Sequence, residues 1–484
     1  MAGILPSDPR PWPERRDAGL GNATMRTTIG VVTRRFSSGQ RRVFHEYEEA
    51  EQARQVAVQA KRRAVRHMDQ LIPKVRAKIE SHGGQTYMAQ DAREAVRLLV
   101  EIAQAHDVQT AIKTKSMLSE EIALNRGLEK AGITVVETDL GEYIIQRAHE
   151  SPSHILAPAA HKNRTQIKRL LDDDARSVEM ETPHSEEPAD LTRFARSRLR
   201  REFLSADMGI TGGNFLVAET GTLVLITNEG NADMVTSLPP VLVSIVGVEK
   251  VVETWDDLTY LIQQPAMNGI GQRLSSYTTL ISGPRQPGMA EGAAEWHVVL
   301  VDNGRSSLQG TPFEDVLSCI RCGACLNVCP VFRQVGGHAY GGVYAGPIGI
   351  VETPLLTDLQ VLPELPSVAC TVCHACGEAC PMDIDLPGHV LRLRKAKVAR
   401  CIDHRSARWS YRLWSQVWST SARYRRSLRL ARIAQKLYLK NGQLKNAPGL
   451  AQGWFQSRDM PPIAPEMFHE WWQRTRGNAH GQQK

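Results

Sequence analysis

Along most of this chain the hydrophobic positions switch between a helical and an extended period. From about His45 to Ile79 the text is rich in Ala, Glu, Arg and Lys and free of Gly, which predicts one long helix. Beyond it, Asp91–His106 reads as helix, Gln109–Ile112 as strand, Ser119–Lys130 as helix and Ile133–Glu137 as strand. A helix through Glu142–Arg147, a short strand at His154–Leu156, and helices over Asn163–Leu171 and Leu191–Leu204 continue the series. Two apolar runs, Phe215–Ile226 and Val241–Val248, complete it. Such alternation predicts an α/β domain with a largely parallel sheet. Glycines in Gly209-Ile-Thr-Gly212-Gly213-Asn214 and Glu219-Thr220-Gly221-Thr222 read as turns around strand ends, where open α/β sheets hold their ligands.

The cysteines change the picture. Nine are present and none lies in the first 318 residues. Eight form two copies of one pattern, Cys319-x2-Cys322-x2-Cys325-x3-Cys329-Pro330 and Cys370-x2-Cys373-x2-Cys376-x3-Cys380-Pro381. This is the spacing of bacterial ferredoxins, in which three thiolates wrap one face of a [4Fe–4S] cube. The fourth cysteine of each block ligates the other cluster in two-cluster proteins. That assigns Cys319, Cys322, Cys325 and Cys380 to one cluster, and Cys370, Cys373, Cys376 and Cys329 to the other. Zinc knuckles use Cx2C pairs but not this four-cysteine layout with a trailing Pro. Cys370-Thr-Val-Cys373-His374 also fits the c-type haem motif, yet haem there would strand Cys376, Cys380 and the whole first block. Cys401 lies apart and reads as a plain thiol.

At 484 residues two or three domains are expected. Residues 1–40, rich in Pro, Arg and Gly, read as a loose arm, 41–310 as the α/β domain, and 311–400 as the cysteine domain. The 40 residues between Cys329 and Cys370 exceed the spacer of a small ferredoxin, so 311–400 is expected to be mainly helical. The net charge of +7 is concentrated between Cys401 and Lys445, where 11 Lys/Arg meet the single Asp403; the rest of the chain sums to about −3. Within the 401–484 tail, Arg405–Lys440 interleaves Arg with Trp409, Tyr411, Trp414, Trp418 and Tyr424. That mixture fits a membrane surface, a partner subunit or packing on its own protein; without a nucleic-acid motif it does not point to DNA or RNA. No run approaches the ~20 apolar residues of a membrane span, and neither the N-terminus nor Arg34-Arg35 is followed by a signal's apolar region. The expected location is cytoplasmic, possible contact with the inner membrane face being left to the tail. Clustered cysteines in that compartment point to metal.

The strings KTKSMLSEE (113–121), VETDLGEYIIQ (136–146), PSHILAPAAHKNR (152–164) and GNFLVAETGTLVLITNEGN (213–231) resemble the lactate-utilization domain. SSYTTLISGPR (275–285), EWHVVLVDNGRS (295–306) and CIRCGACLNVCPVFRQVGGHAYG (319–341) resemble the lactate-utilization protein B family. The resemblance covers roughly residues 40–400. It implies an α/β lactate-utilization domain of the sugar-isomerase and CoA-transferase type, then a mainly helical two-cluster ferredoxin domain and a basic helical tail. It further implies the iron–sulfur subunit of an NAD-independent L-lactate oxidation, an oxidoreductase subunit working beside lactate-utilization proteins A and C. The alternative is an electron relay or scaffold for another 2-hydroxy acid, with a non-catalytic α/β domain.

In the sugar-isomerase and CoA-transferase group an acidic residue in a Glu-Asn-Gly-like turn can be catalytic. The nearest text here, Asn228-Glu229-Gly230-Asn231, has the order changed, so Glu229 and Asn231 are candidates for a substrate role or a plain polar turn. His161-Lys162-Asn163-Arg164 is a carboxylate site or a charged helix start, and Lys113 and Lys115 share that ambiguity. His338 and Tyr340, between glycines, either tune the neighbouring cluster or form a simple loop.

Overall fold

Most of the residues expected to form a loose arm, from Trp12 onward, are helical. The computed structural model describes residues 8–402, 405–440, 442–444, 455 and 461–476, and helices run over Trp12–Gly21 and Ala23–Glu46. Asn22 caps the second, its side chain accepting from the Met25 amide at 2.9 Å. Met25, Ile29, Thr33 and Ser37 repeat every four residues and are buried, which gives this helix a docking face. Half of that face is hydroxylated, so the hydrophobic pattern hides it; Thr33 satisfies its hydroxyl on the Ile29 carbonyl at 2.7 Å. The two helices pack on short helices of the cysteine segment. At Gly19 a Cβ would stand 2.2 Å from the Val335 carbonyl oxygen, so only glycine fits.

The helix expected over His45–Ile79 is two, Ala50–Arg66 and Met68–Ser81, parted at His67. The break turns Met68, Leu71, Val75 and Ile79 into the core. Ser119–Lys130 likewise becomes Met117–Glu121 and Leu124–Lys130 about Ala123, whose φ of 53° no helix continues through. His154–Leu156 is not a strand: the amides of Leu156 and Ala157 donate to His154 Nδ1 at 3.1 and 3.3 Å and curl the segment.

Ten strands follow in the α/β part: β1 (Gln85–Ala89), β2 (Thr110–Lys113), β3 (Thr134–Glu137), β4 (Met208–Thr211), β5 (Phe215–Val217), β6 (Thr222–Thr227), β7 (Val241–Gly247), β8 (Val251–Val252), β9 (Tyr277–Ile281) and β10 (Glu295–Val301). Six form a sheet of order β1-β10-β7-β4-β2-β3, parallel throughout. β7 is buried at all seven positions, as a strand covered on both faces must be. Val243 and Ile245 pack with helices Ala92–Ala105 and Leu124–Lys130, while Leu242 and Val246 pack with Met68–Ser81 on the opposite face. The apolar run Phe215–Ile226 folds on itself: β5 and β6 pair antiparallel about Gly221, at φ 71°, and join β8 and β9 in a second sheet.

The cysteine segment is helical, with Ala324–Val328, Phe332–Val335, Gly346–Leu356, Leu365–Val368, Ala375–Glu378 and Leu386–Ala399 and no strand among the described residues. Residues 1–400 form one compact unit and 401–484 another. In the second, helices run over Arg405–Trp418, Ser421–Ala434 and Phe468–Arg476. Trp409, Tyr411, Trp414 and Leu430 there are each more than half exposed. Among the described residues no helix is long and apolar enough to cross a membrane.

Candidate metal centres and an adjoining cavity

The thiols of the two sequence blocks approach one another in the fold. Cys322 lies in the field of Cys319 and Cys380, and Cys325 in that of Cys319, Cys322, Cys380 and, more weakly, Cys376. Cys376 faces Cys329, Cys370 and Cys373 instead. Cys380 thus stands near the thiols of the first block, and Cys329 near those of the second. Both blocks wind through the left-handed region at matching places: Arg321 and Gly323 have φ of 60° and 70°, Val372 and His374 of 53° and 66°. Three of these four are not glycine, so the fold holds each against a cost of roughly 1–2 kcal/mol. Backbone amides turn toward sulfur: Val372 donates to Cys370 Sγ at 3.3 Å and Phe332 to Cys329 Sγ at 3.5 Å.

Burial pushes the Cys322 and Cys325 thiols well up, and Cys376 and Cys380 up to about 12. Bare thiolates are disfavoured in such surroundings, and iron supplies the positive charge that would hold them ionised. Four sulfurs per set with amides aimed at them fit a [4Fe–4S] group. Burial is uneven, since Cys322, Cys329 and Cys376 are buried and Cys373 is exposed. The buried Tyr340 hydroxyl lies beside the Cys329 sulfur, with the Trp12 ring edge-on at 6.0 Å.

A buried ionic network ties the first cysteine block to the strand ends. Arg321, between Cys319 and Cys322, makes a two-pronged ion pair with Glu352, its guanidinium 4.3 Å from the Tyr344 ring centre. Lys250 donates to the Cys319 carbonyl at 3.2 Å. Arg305 grips Glu121 through both terminal nitrogens at 2.8 Å and reaches Glu249 at 2.7 Å. Burial alone would raise the Glu249 carboxyl, but Arg305 and Lys250 outweigh it and bring it down to about 2. The sequence signals for this network are single charges in apolar text, Glu249-Lys250 after β7 and Arg321 inside the motif, and neither is a recognisable pattern.

Next to the network is a cavity of about 270 Å³ at the carboxyl ends of the parallel strands. Lys115 follows β2, Asp139 follows β3, Asn214 follows β4 and Lys250 follows β7, while Ile320 and Arg321 bring the first cysteine block to its wall. Glu229 and Asn231 line it too. Glu229 accepts from the Leu140 amide at 3.2 Å, and burial plus the charge of Asp139 raise its carboxyl to about 7. Asn231 is 7% exposed; its amide nitrogen donates to the Thr138 hydroxyl at 3.1 Å, while its Oδ1 has no partner.

The other sequence candidates lie elsewhere. His161 bonds Glu150 at 2.6 Å and the Ser153 hydroxyl at 2.9 Å, and Lys162 donates to the same Glu150 at 2.7 Å. Neither lines the cavity with Glu229. Asn163 caps the helix Arg164–Ser177 in a reciprocal box with Gln166, so this stretch is a charged helix start. His338 packs 4.7 Å from the His161 ring and bonds the Ser151 carbonyl, away from the sulfurs that Tyr340 meets. Lys113 is buried in ion pairs with Glu137 and Glu120 at 2.9 and 3.5 Å.

A strand-end cavity on a parallel α/β scaffold, joined to a helical segment that gathers eight thiols, defines an iron–sulfur protein. The LUD domain model matches residues 72–301 and the 4Fe-4S dicluster domain model residues 315–384. The chain belongs to the lactate utilization protein B family. It is 40% identical to Lactate utilization protein B of Shouchella clausii (strain KSM-K16), over 97% of this chain and 98% of that one. The same-named protein of Oceanobacillus iheyensis is 40% identical over 96% and 97% of the two chains. An uncharacterized electron transport protein, YkgF of Escherichia coli (strain K12), is 37% identical over 93% and 94%. A solved DUF162 family protein from Deinococcus radiodurans matches at 12% identity and a TM-score of 0.26, covering 48% of this chain and 98% of its own.

Proposed function

We propose that this chain is the electron-transferring subunit of an L-lactate oxidation system, receiving the electrons released as L-lactate becomes pyruvate. The observation that carries the reading is the approach of two four-cysteine blocks, within a 4Fe-4S dicluster domain, in a chain whose relatives are named for lactate utilization. Cys319, Cys322, Cys325 and Cys380 would hold one [4Fe–4S] cluster, and Cys370, Cys373, Cys376 and Cys329 the other. Each such group supplies reversible one-electron storage. The chain's own part is to bury the sulfurs, direct amides at them and hold Arg321 and Lys250 beside the first set.

Removing hydrogen from a 2-hydroxy acid is two-electron chemistry and needs a base and an acceptor for the pair. The chain has no dinucleotide turn, its nearest text, Gly269-Ile-Gly271-Gln-Arg-Leu274, ending in Leu. The acceptor step is therefore assigned to partners related to lactate-utilization proteins A and C. The tail is assigned to an anionic lipid surface on the inner face of the membrane, because residues 405–440 carry ten Lys/Arg, no acid and exposed aromatic rings. The test is anaerobic, cluster-replete protein given L-lactate and an artificial acceptor, alone and then with the partner proteins. About eight irons and eight sulfides, with turnover only in the mixture, are expected. Robust turnover by the lone chain would overturn the division of labour, and about four irons would overturn the two-cluster count.

A further inference from the structure

The cavity beside the first cysteine block has a definite chemical character. We infer that it binds a short hydroxylated carboxylate, the carboxylate toward Lys115 and Lys250 and the hydroxyl toward Glu229 and Asn231. The choice of a 2-hydroxy acid within that class rests on the function proposed above; the site itself rests on the geometry.

Three observations carry it. First, at about 270 Å³ the cavity falls just below the range of roughly 300–1,000 Å³ that takes drug-sized ligands, so its occupant is small. Second, its wall combines aliphatic side chains with charges of both signs, Lys115, Lys250 and Arg321 together with Asp139, Glu229 and Glu249. Lys115 and Lys250 each spend one hydrogen bond on a backbone carbonyl, Leu156 at 3.1 Å and Cys319 at 3.2 Å, and stand at the longer distances of 3.7 Å from Asp139 and 3.8 Å from Glu249; an ammonium group has three hydrogens to give. Third, the Asn231 Oδ1 is buried here without a partner, and leaving such an acceptor unmet costs about 1–3 kcal/mol. A ligand hydroxyl is the donor that the Asn231 Oδ1 lacks, beside a Glu229 carboxylate that accepts from the Leu140 amide, and a carboxylate is the acceptor the lysines can serve.

The location gives the site a purpose. The cavity lies at the carboxyl ends of β2, β4 and β7, where open α/β sheets place ligands, and Ile320 and Arg321 form part of its wall between two cysteines of the first set. A ligand here sits against the cysteine block that the proposed relay uses.

The experiment is calorimetric titration of the full, cluster-loaded chain under anaerobic conditions. The probes are L-lactate, propionate, which lacks the hydroxyl, and methyl lactate, which lacks the charge. One saturable site for L-lactate is expected, with both analogues about tenfold weaker or worse. Asn231→Ala and Lys115→Met should each weaken L-lactate by a similar factor. Each variant must keep the parent's iron content and melting point, and Glu229→Gln, which preserves shape, keeps the test open if Lys115→Met does not fold. No saturable binding, equal affinity for propionate, or indifference to all three variants would overturn the site. Iron content and reduction by dithionite are read on the same samples. Full clusters without lactate binding would sink this inference and leave the relay standing; lactate binding without two clusters would do the reverse.

Discussion

Arg305→Met should rank among the most damaging single changes outside the cysteines. The Arg305 side chain is 2% exposed and compensates two buried carboxylates, Glu121 and Glu249. Removing one partner of a buried ion pair costs about 3–5 kcal/mol, because the stranded charge can neither hydrate nor pair. Some relief remains: Tyr344 and Asn303 still donate to Glu121 at 2.5 and 2.7 Å, and Lys250 stays 3.8 Å from Glu249. A loss of about 4 kcal/mol is therefore expected. Unfolding entropy near 2.1 cal/mol/K per residue over the 400-residue unit converts this to a fall in Tm of about 5 °C. The loss depends on pH. Burial opposes ionisation of both carboxyls, yet in the native protein Arg305 holds both below their ordinary value, Glu249 at about 2. That stabilisation is complete above the unfolded carboxyl pKa of about 4.3 and disappears as pH falls toward about 2. In the variant the same carboxyls take up protons more readily, so the gap between the two proteins should narrow from pH 7 to pH 4. Anaerobic thermal melts across that range are the assay. A shift below about 1 °C, or a gap independent of pH, would refute the account of the network.

Cys380→Ser should cut iron toward half and remove the paramagnetic signal of the set containing Cys319; survival of that signal would mean each block keeps its own fourth cysteine. Changing Arg423, Arg425, Arg426 and Arg429 to Gln should abolish salt-sensitive sedimentation with anionic vesicles, at about 1 kcal/mol per charge, whereas truncation after Asn441 should matter less. Binding indifferent to salt would contradict the electrostatic reading. Arg15→Met, which strands Glu364 at 2.6 Å from the lost guanidinium, should hasten proteolysis within residues 8–46; unchanged cleavage would show that the N-terminal helices are held by other contacts.

What could be read in the sequence was local. The cysteine spacing lies within eleven residues per block, and the parallel strands announce themselves as apolar runs such as Val241–Val248. Glu229 was legible as a substrate candidate or a polar turn without a means to choose, because its surroundings are Lys115, Asp139 and Arg321, brought together from three distant segments. The N-terminal helices escaped because Thr33 and Ser37 occupy buried positions that a hydrophobic pattern expects to be apolar. Pattern also overstated regularity: the single helix through His67 and the strand at His154 both gave way to tertiary demands, a core to fill in one case and a buried imidazole accepting two amides in the other.

The helices at the start of the chain have a consequence for how the protein is made. Arg15 and its partner Glu364 are separated by 349 positions, and a ribosome adding about 5–20 residues per second needs roughly 17–70 s to cover them. Throughout that interval the first helices exist without their seat, which is formed by residues near Val335, Tyr340 and Glu364. The N-terminal helices are therefore made well before the segment they dock on. Until they dock, the Cys329 side of the cysteine segment lacks its cover, which leaves a window in which delivery machinery can reach the thiols. Closure of the N-terminal helices then becomes a natural end point of maturation.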